Sequence, residues 1–342
     1  MKKIDLNNKK IIISRTDSIG DVILTLPLCY YIKNNFPNCE IHFLGQTYTR
    51  PVLEFCSAVD EVHAWDEIVK LPVQSRYQAI KNIGADCFIH VFPTKRLAKI
   101  AKKAEVPIRI GTSHRPYNLL NCTHRLNFTR KSANEHESQL NFHLLKPFGV
   151  DKLPSLKEVT ELLSKFKNDV NTNVNSKVKK LLEGSNKKVV LHPMSKGSAL
   201  EWPIENFIEL SDYFVQKGYK VYLTGTEGEG KTFRKFIPKD GNVEDISGKL
   251  DLKELIQLTA NVDGLIACST GPLHIAAAVG TNALGLYLDK RPIHPGRWMP
   301  IGEKAHFMAQ SPLTIPKDEE VKKLNFKPES VFKTFLSLSN QK

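Results

Sequence analysis

"KIIISRTDSIGDVILTLP", residues 10–27, decides the fold. A β-branched apolar run ends at Ser14, a short polar turn follows, and an apolar helix pattern takes over near Asp21. Strand, turn and helix in that order open a doubly wound α/β domain, whose ligands gather where strands hand over to helices. Gly20 suits a tight turn there. Asp21 admits two readings, a carboxylate that caps the helix or one directed at chemistry.

The same alternation continues down the chain. Strands read as "KIIIS", "EIHFLG", "EVHAW", "CFIHVF" and "IRIG", with helix patterns near Arg50–Phe55, near Gln74–Ile83 and at Lys95–Lys103. After Val150 the polar, asparagine-rich stretch "DKLPSLKEVTELLSKFKNDVNTNVNSK" reads as a connector with little to bury. A second series follows: strands "KKVVLHP", "KVYLTG", "GLIACS" and "NALGLYL", alternating with helices that include "PIENFIELSDYFVQKG", "DISGKLDLKELIQLTANV" and "GPLHIAAAVG". A chain of 342 residues suits two domains. The expected division is residues 1–160, a linker at 161–178, a second domain at 179–325 and a last helix at 326–342.

Composition narrows the class. Apolar content of 41% and charged content of 25% are those of a globular chain. No apolar run reaches the roughly 18 residues of a spanning helix, and the basic N-terminus lacks a signal-peptide pattern, so a cytoplasmic protein is expected. Six scattered cysteines without a CxxC pair read as free thiols, not a zinc site or disulfide frame. The net charge of +13 favours an anionic partner. Much of it falls between Lys95 and Lys131, where Lys95, Arg96, Lys99, Lys102 and Lys103 line one face of a helix. That face reads equally as a solvated surface or a docking surface. No nucleic-acid-binding signature accompanies it.

Four strand-to-helix loops qualify for chemistry: "TDSIGD", "HPMSKGSALEWP", "TGTEGEGKT" and "CSTGPLH". In the last, Ser269, Thr270 and Gly271 precede Pro272 at the first helical position, and exposed N–H groups there suit a diphosphate, with His274 one turn in as a further donor. "GTEGEGKT", Gly225–Thr232, also satisfies the P-loop pattern GxxxxGK[ST], although Glu227 and Glu229 would repel the phosphates that such a loop wraps. A P-loop NTPase is therefore an alternative, and a non-catalytic nucleotide-sugar-binding protein is another.

Taken together, the loops resemble glycosyltransferase family 9, the ADP-heptose:lipopolysaccharide heptosyltransferases. Arg15, Gly20, Asp21 and Pro27 reproduce the family's R-x-x-x-x-G-D-x-x-x-x-x-P opening. "HPMSKGSALEWPIENFIEL", "GPLHIAAAVGT", "HPGRW", "RIGT" and "HESQLNFHLLKPFG" match further stretches, so the similarity spans nearly the whole chain. The resemblance implies a GT-B fold, two Rossmann-like domains facing across a cleft, with the last helix packing back on the first. It implies inverting, metal-independent transfer of a heptose or related sugar from an ADP-sugar to the lipopolysaccharide core, without a cofactor. Asp21 would be the general base. Ser195, Lys196, Ser269, Thr270, Gly271, Pro272 and His274 would meet the donor, with Glu227 on the ribose and Gly248 near the adenine. Ser18, Gly20, Lys95, Arg96, Arg109 and Arg115 fall on the acceptor side. The acceptor is an anionic lipid-linked oligosaccharide, so a peripheral enzyme on the inner face of the cytoplasmic membrane is implied. Two positions depart from the family: Leu200 stands where many members carry lysine, and Ser269 where many carry aspartate. Both departures bear on the donor.

Overall fold

The computed structural model describes residues 3–131, 134–170, 174–238, 241–291, 293–312 and 323–339. The chain divides into two compact units, Met1–Lys165 and Phe166–Lys342. The first holds strands β1 (Lys10–Ser14), β2 (Glu40–Gly45), β3 (Glu61–Ala64), β4 (Cys87–His90), β5 (Ile108–Thr112) and β6 (His124–Leu126). The second holds β7 (Lys188–His192), β8 (Lys220–Leu223), β9 (Val243–Asp245), β10 (Gly264–Cys268), β11 (Asn282–Leu288) and β12 (Ala305–Gln310). All pairings within the two sheets are parallel.

The sheet orders are β3-β2-β1-β4-β5-β6 and β12-β11-β10-β7-β8-β9. Each unit is therefore a Rossmann-like sheet. The order reverses between β1 and β4 in one and between β7 and β10 in the other, and such reversals open a crevice at the carboxyl ends of the strands. The central strands are apolar on both faces because helices cover both: Ile11, Ile12 and Ile13 of β1 and Val189, Val190 and Leu191 of β7 are wholly buried.

Three strands, β6, β9 and β12, were not read from the sequence. β6 and β9 span three residues each, and β12 lies on an outer edge, where one face stays partly wet. The stretch 151–177 differs more. Its described residues hold helices Leu156–Leu163 and Lys165–Val170 and the start of helix Ser176–Leu182, where an irregular connector was expected. Val159 and Leu163 are buried on the first of these helices and Phe166 and Val170 on the second, each pair four residues apart, so each hides an apolar stripe within a polar composition. The last helix, Pro328–Ser339, buries Val331 and Phe335 in the core of the second unit, packed on helix Ile204–Gln216. Gly264 makes that packing possible, since a Cβ at its position would overlap the Phe335 ring. The six cysteines are buried, free thiols.

Candidate active site

In the first unit the chain leaves β1 through Arg15 and enters helix Ile19–Ile23. Ser18, in extended conformation, is the N-cap, and Asp21 lies in the first turn. Asp21 is therefore not the cap. Its carboxylate accepts hydrogen bonds from the Arg15 guanidinium and the Ser18 hydroxyl. Gly20 is a buried residue of that same helical turn and makes no left-handed turn.

Arg15 is the hub of the site. Its guanidinium also donates to Asp17 at 2.8 Å and to Glu137 at 3.0 Å. The Arg15 side chain is 3% exposed and Glu137 is 0% exposed, whereas Asp21 keeps 14%. Glu137 accepts in turn from Arg130 at 2.7 Å, and Arg130 reaches Asn141 at 2.8 Å. Asn141 donates to the Leu24 carbonyl at 3.1 Å, which ties helix Glu137–Phe142 to the residue just after the Asp21 helix. Three carboxylates, Asp17, Asp21 and Glu137, thus share two guanidiniums. Burial raises the Asp17 carboxyl above its ordinary range, with Arg15 pulling the other way. Sequence reading missed this network apart from Asp21 and the motif arginine. Glu137 lies within "HESQLNF", but nothing in its spacing pairs it with Arg15.

Among the residues expected on the acceptor side, Lys95 and Arg96 begin the helix after β4, capped by Thr94, whose hydroxyl accepts from the Leu97 N–H at 3.2 Å. β4 neighbours β1, so that loop rises from the same sheet edge as Asp21. Its Phe92 lies 6.0 Å from the Arg15 guanidinium. Arg115 is exposed in the loop after β5. Arg109 is a correction. It stands at the beginning of β5, at the opposite sheet edge, and its guanidinium holds the Val106 and Asn121 carbonyls. Its role is to tie loops together.

In the second unit the loops after β10, β7, β8 and β9 stand side by side along the carboxyl edge. After β7, Ser195 is buried, and both its N–H and its hydroxyl donate to Glu201, at 2.7 and 2.8 Å. This fixes a tight loop whose next residue, Lys196, is exposed with a left-handed φ of 50°. Leu200 packs against the apolar core. His192, at the end of β7, is hydrogen-bonded to the Thr224 hydroxyl at 2.9 Å, and burial pushes its imidazole down to about 4. It is neutral at physiological pH.

Thr270 ends the β10 loop as the N-cap of helix Gly271–Ala278, but its side chain makes no capping bond. Its buried hydroxyl finds no hydrogen-bond partner among the described residues. Gly271 is the first helical residue and Pro272 the second, one position later than expected. His274 is buried in the same turn, and Ser269 is half-buried beside Thr270. An uncapped helix start with a spare hydroxyl is suited to an anion.

The β8 and β9 loops bring Glu227 and Gly248 together. Gly248 adopts a φ of 72°, and a Cβ there would meet the Glu227 Cβ at 2.7 Å. Its N–H donates to the Gly225 carbonyl at 2.9 Å. Arg234 holds Glu227 through contacts of 3.2 and 3.1 Å and keeps its carboxyl below the usual range. The P-loop reading fails here. Helix Glu227–Phe233 starts directly after Thr226, which caps it in a reciprocal box with Glu229, so the residues that would wrap phosphates are already helical. Gly230 is explained by packing, since a Cβ there would lie 2.7 Å from the Ser247 side chain.

Comparison with known proteins places the chain. The sequence model of Glycosyltransferase family 9 (heptosyltransferase) matches residues 75–326. The chain belongs to glycosyltransferase family 9. A Haemophilus influenzae protein named no further than glycosyltransferase is 26% identical over 310 residues, 89% of each chain. Lipooligosaccharide heptosyltransferase 2 of the same organism is 23% identical, covering 84% of each chain. The structure of E. coli heptosyltransferase WaaC with ADP superposes with a TM-score of 0.74 at 17% identity, over 96% of this chain and 99% of that one. The fold is accordingly GT-B, and this family 9 chain is a glycosyltransferase.

Proposed function

We propose that this enzyme transfers a heptose, or a closely related sugar, from an ADP-sugar to the lipopolysaccharide core, with inversion at the anomeric carbon and Asp21 as general base. The observation that carries the reading is the shared hydrogen bonding at Arg15. With one guanidinium divided among three carboxylates, Asp21 has only a share of its cationic partner, which leaves its carboxylate able to accept a further hydrogen bond from an attacking hydroxyl. Ser18, Gly20, Lys95, Arg96 and Arg115 stand on the acceptor side.

For the departing diphosphate, the supporting features are the uncapped helix start at Thr270–Gly271–Pro272, the exposed Lys196 and the nearby Ser269 and His274. Ser195 and Glu201 act by shaping the loop that presents Lys196, and Lys196 takes the part of the lysine missing at Leu200. Glu227, held by Arg234, is offered to the ribose hydroxyls, and the turn at Gly248 to the base. WaaC was solved with ADP, which supports an adenine nucleotide here. The mechanism calls for no metal or cofactor.

The acceptor brings the enzyme to an anionic membrane surface on its cytoplasmic side. Lys95, Arg96, Lys99, Lys102 and Lys103 are all exposed on helix Lys95–Lys103, whose other face is buried. Beside them Leu119 and Leu120 are 60% and 76% exposed, and Lys102 is bonded to the Leu120 carbonyl at 2.8 Å. Two bare leucines beside a row of cations suit a phospholipid interface. No helix among the described residues is long and apolar enough to cross a membrane.

A thermal-shift panel of ADP-, UDP- and GDP-sugars tests the donor, because a ligand stabilises in proportion to its affinity and concentration. ADP-heptose is expected to give the largest shift, and the product's anomeric configuration by NMR is expected to be inverted. A larger shift from a UDP- or GDP-sugar would overturn the donor, and retention of configuration would overturn the mechanism.

A further inference from the structure

Strands β2 and β3 carry the same short phrase, Glu40-Ile41-His42 and Glu61-Val62-His63. They pair in parallel with His42 opposite Glu61, and residues two apart share a sheet face. The stagger therefore collects both histidines and both glutamates on one side of the sheet. His42 Nδ1 lies 2.8 Å from His63 Nε2 and 3.4 Å from a Glu61 carboxylate oxygen. His63 Nε2 lies 3.8 Å from the other Glu61 oxygen.

We propose that His42 Nδ1, His63 Nε2 and the Glu61 carboxylate form a binding site for a zinc-class divalent metal ion, with water in the fourth position. Ligands about 2.0 Å from a tetrahedral ion lie roughly 3.3 Å from one another. The three separations found here, 2.8, 3.4 and 3.8 Å, bracket that spacing, so shifts of about half an ångström complete the triangle. Glu40 supplies the outer support, standing 3.6 Å from Nε2 of His42, the nitrogen turned away from the ion. A carboxylate on the second nitrogen of a metal-bound histidine fixes the ring and its tautomer. Lys10 holds Glu40 in turn at 3.3 Å.

The surroundings leave the ion one open side. His42 is 6% exposed and His63 18%, whereas Glu61 is 60% exposed and leaves a water-accessible side. The cations facing the cluster are Lys10, occupied by Glu40, and Arg50, which lies 3.9 Å from Glu54. Two imidazoles with one carboxylate suit zinc and disfavour magnesium, which prefers oxygen ligands. An ion here would clamp β3 to β2 across a sheet edge that four residues of β3 hold alone. Cysteine spacing gave no hint of it, because the ligands are histidines 21 residues apart that meet only when the two strands pair.

Calorimetric titration of the chelator-treated full chain with zinc chloride tests the site. One equivalent should bind, the melting temperature should rise with zinc, and magnesium chloride should do neither. His63→Ala and Glu61→Gln, at the exposed edge, should each weaken binding at least tenfold while circular dichroism stays native. Glu40→Gln should weaken it about 10- to 100-fold. Failure of the native chain to bind zinc, or equal binding by His63→Ala and Glu61→Gln, would overturn the assignment. Sugar transfer does not depend on this site, so its failure leaves the proposed function standing.

Discussion

A single guanidinium organises the first unit's carboxyl edge. Arg15 follows directly from β1, and its three carboxylate partners come from the next turn, from the first turn of the following helix and from Glu137. Asp21 and Arg15 were legible because they recur at a motif spacing within seven residues. Glu137 was not, because its partnership is made by tertiary folding across 122 residues. Removing one member of a buried ion network leaves the others desolvated and unmatched, at a cost of roughly 3–5 kcal/mol. Glu137→Gln, which keeps the shape and removes the charge shared by Arg15 and Arg130, is expected to lose about that much in urea denaturation. A loss below about 1 kcal/mol would mean that the network carries little load.

Among the elements, those with strong periodicity were read correctly, and those defined by neighbours were not. The central strands announced themselves as apolar runs, whereas β6 and β9 are too short to carry a period. The stretch 151–177 misled through its composition, since the pairs Val159/Leu163 and Phe166/Val170 each keep a helical spacing that the surrounding polar residues obscured. The P-loop pattern misled in the opposite sense. Thr226 and Glu229 spell a helix start as clearly as the glycines spell a phosphate loop, and the cap prevails because it satisfies the first backbone N–H groups locally. Gly264 is the clearest element-scale dependency. Gly264→Ala would drive a methyl group into the Phe335 ring, and overpacking of this kind costs about 1–3 kcal/mol. Thermal melting should show that loss, and Phe335→Leu in the same chain should recover part of it. A neutral Gly264→Ala would mean that the last helix yields freely.

For the molecule as a whole, two sheets of identical strand order place every proposed donor residue on one carboxyl edge and Asp21 on the other. The net charge of +13 belongs to the same account. Attraction between a basic face and anionic lipid is screened with a Debye length of about 10 Å at 0.1 M salt. Co-sedimentation with phosphatidylglycerol vesicles should therefore fall steeply between about 0.05 and 0.5 M salt, and Leu120→Asp should reduce the bound fraction at low salt. Binding that ignores salt and Leu120 would remove helix Lys95–Lys103 and its neighbour from the membrane account. The central claim is that Asp21 takes the acceptor's proton, and the rate of sugar transfer by Asp21→Asn tests it most directly, with ADP affinity measured on the same preparation. The account predicts a fall of roughly 100- to 10,000-fold in transfer with ADP affinity unchanged. Transfer near the wild-type rate, in a variant that binds ADP normally, would contradict it.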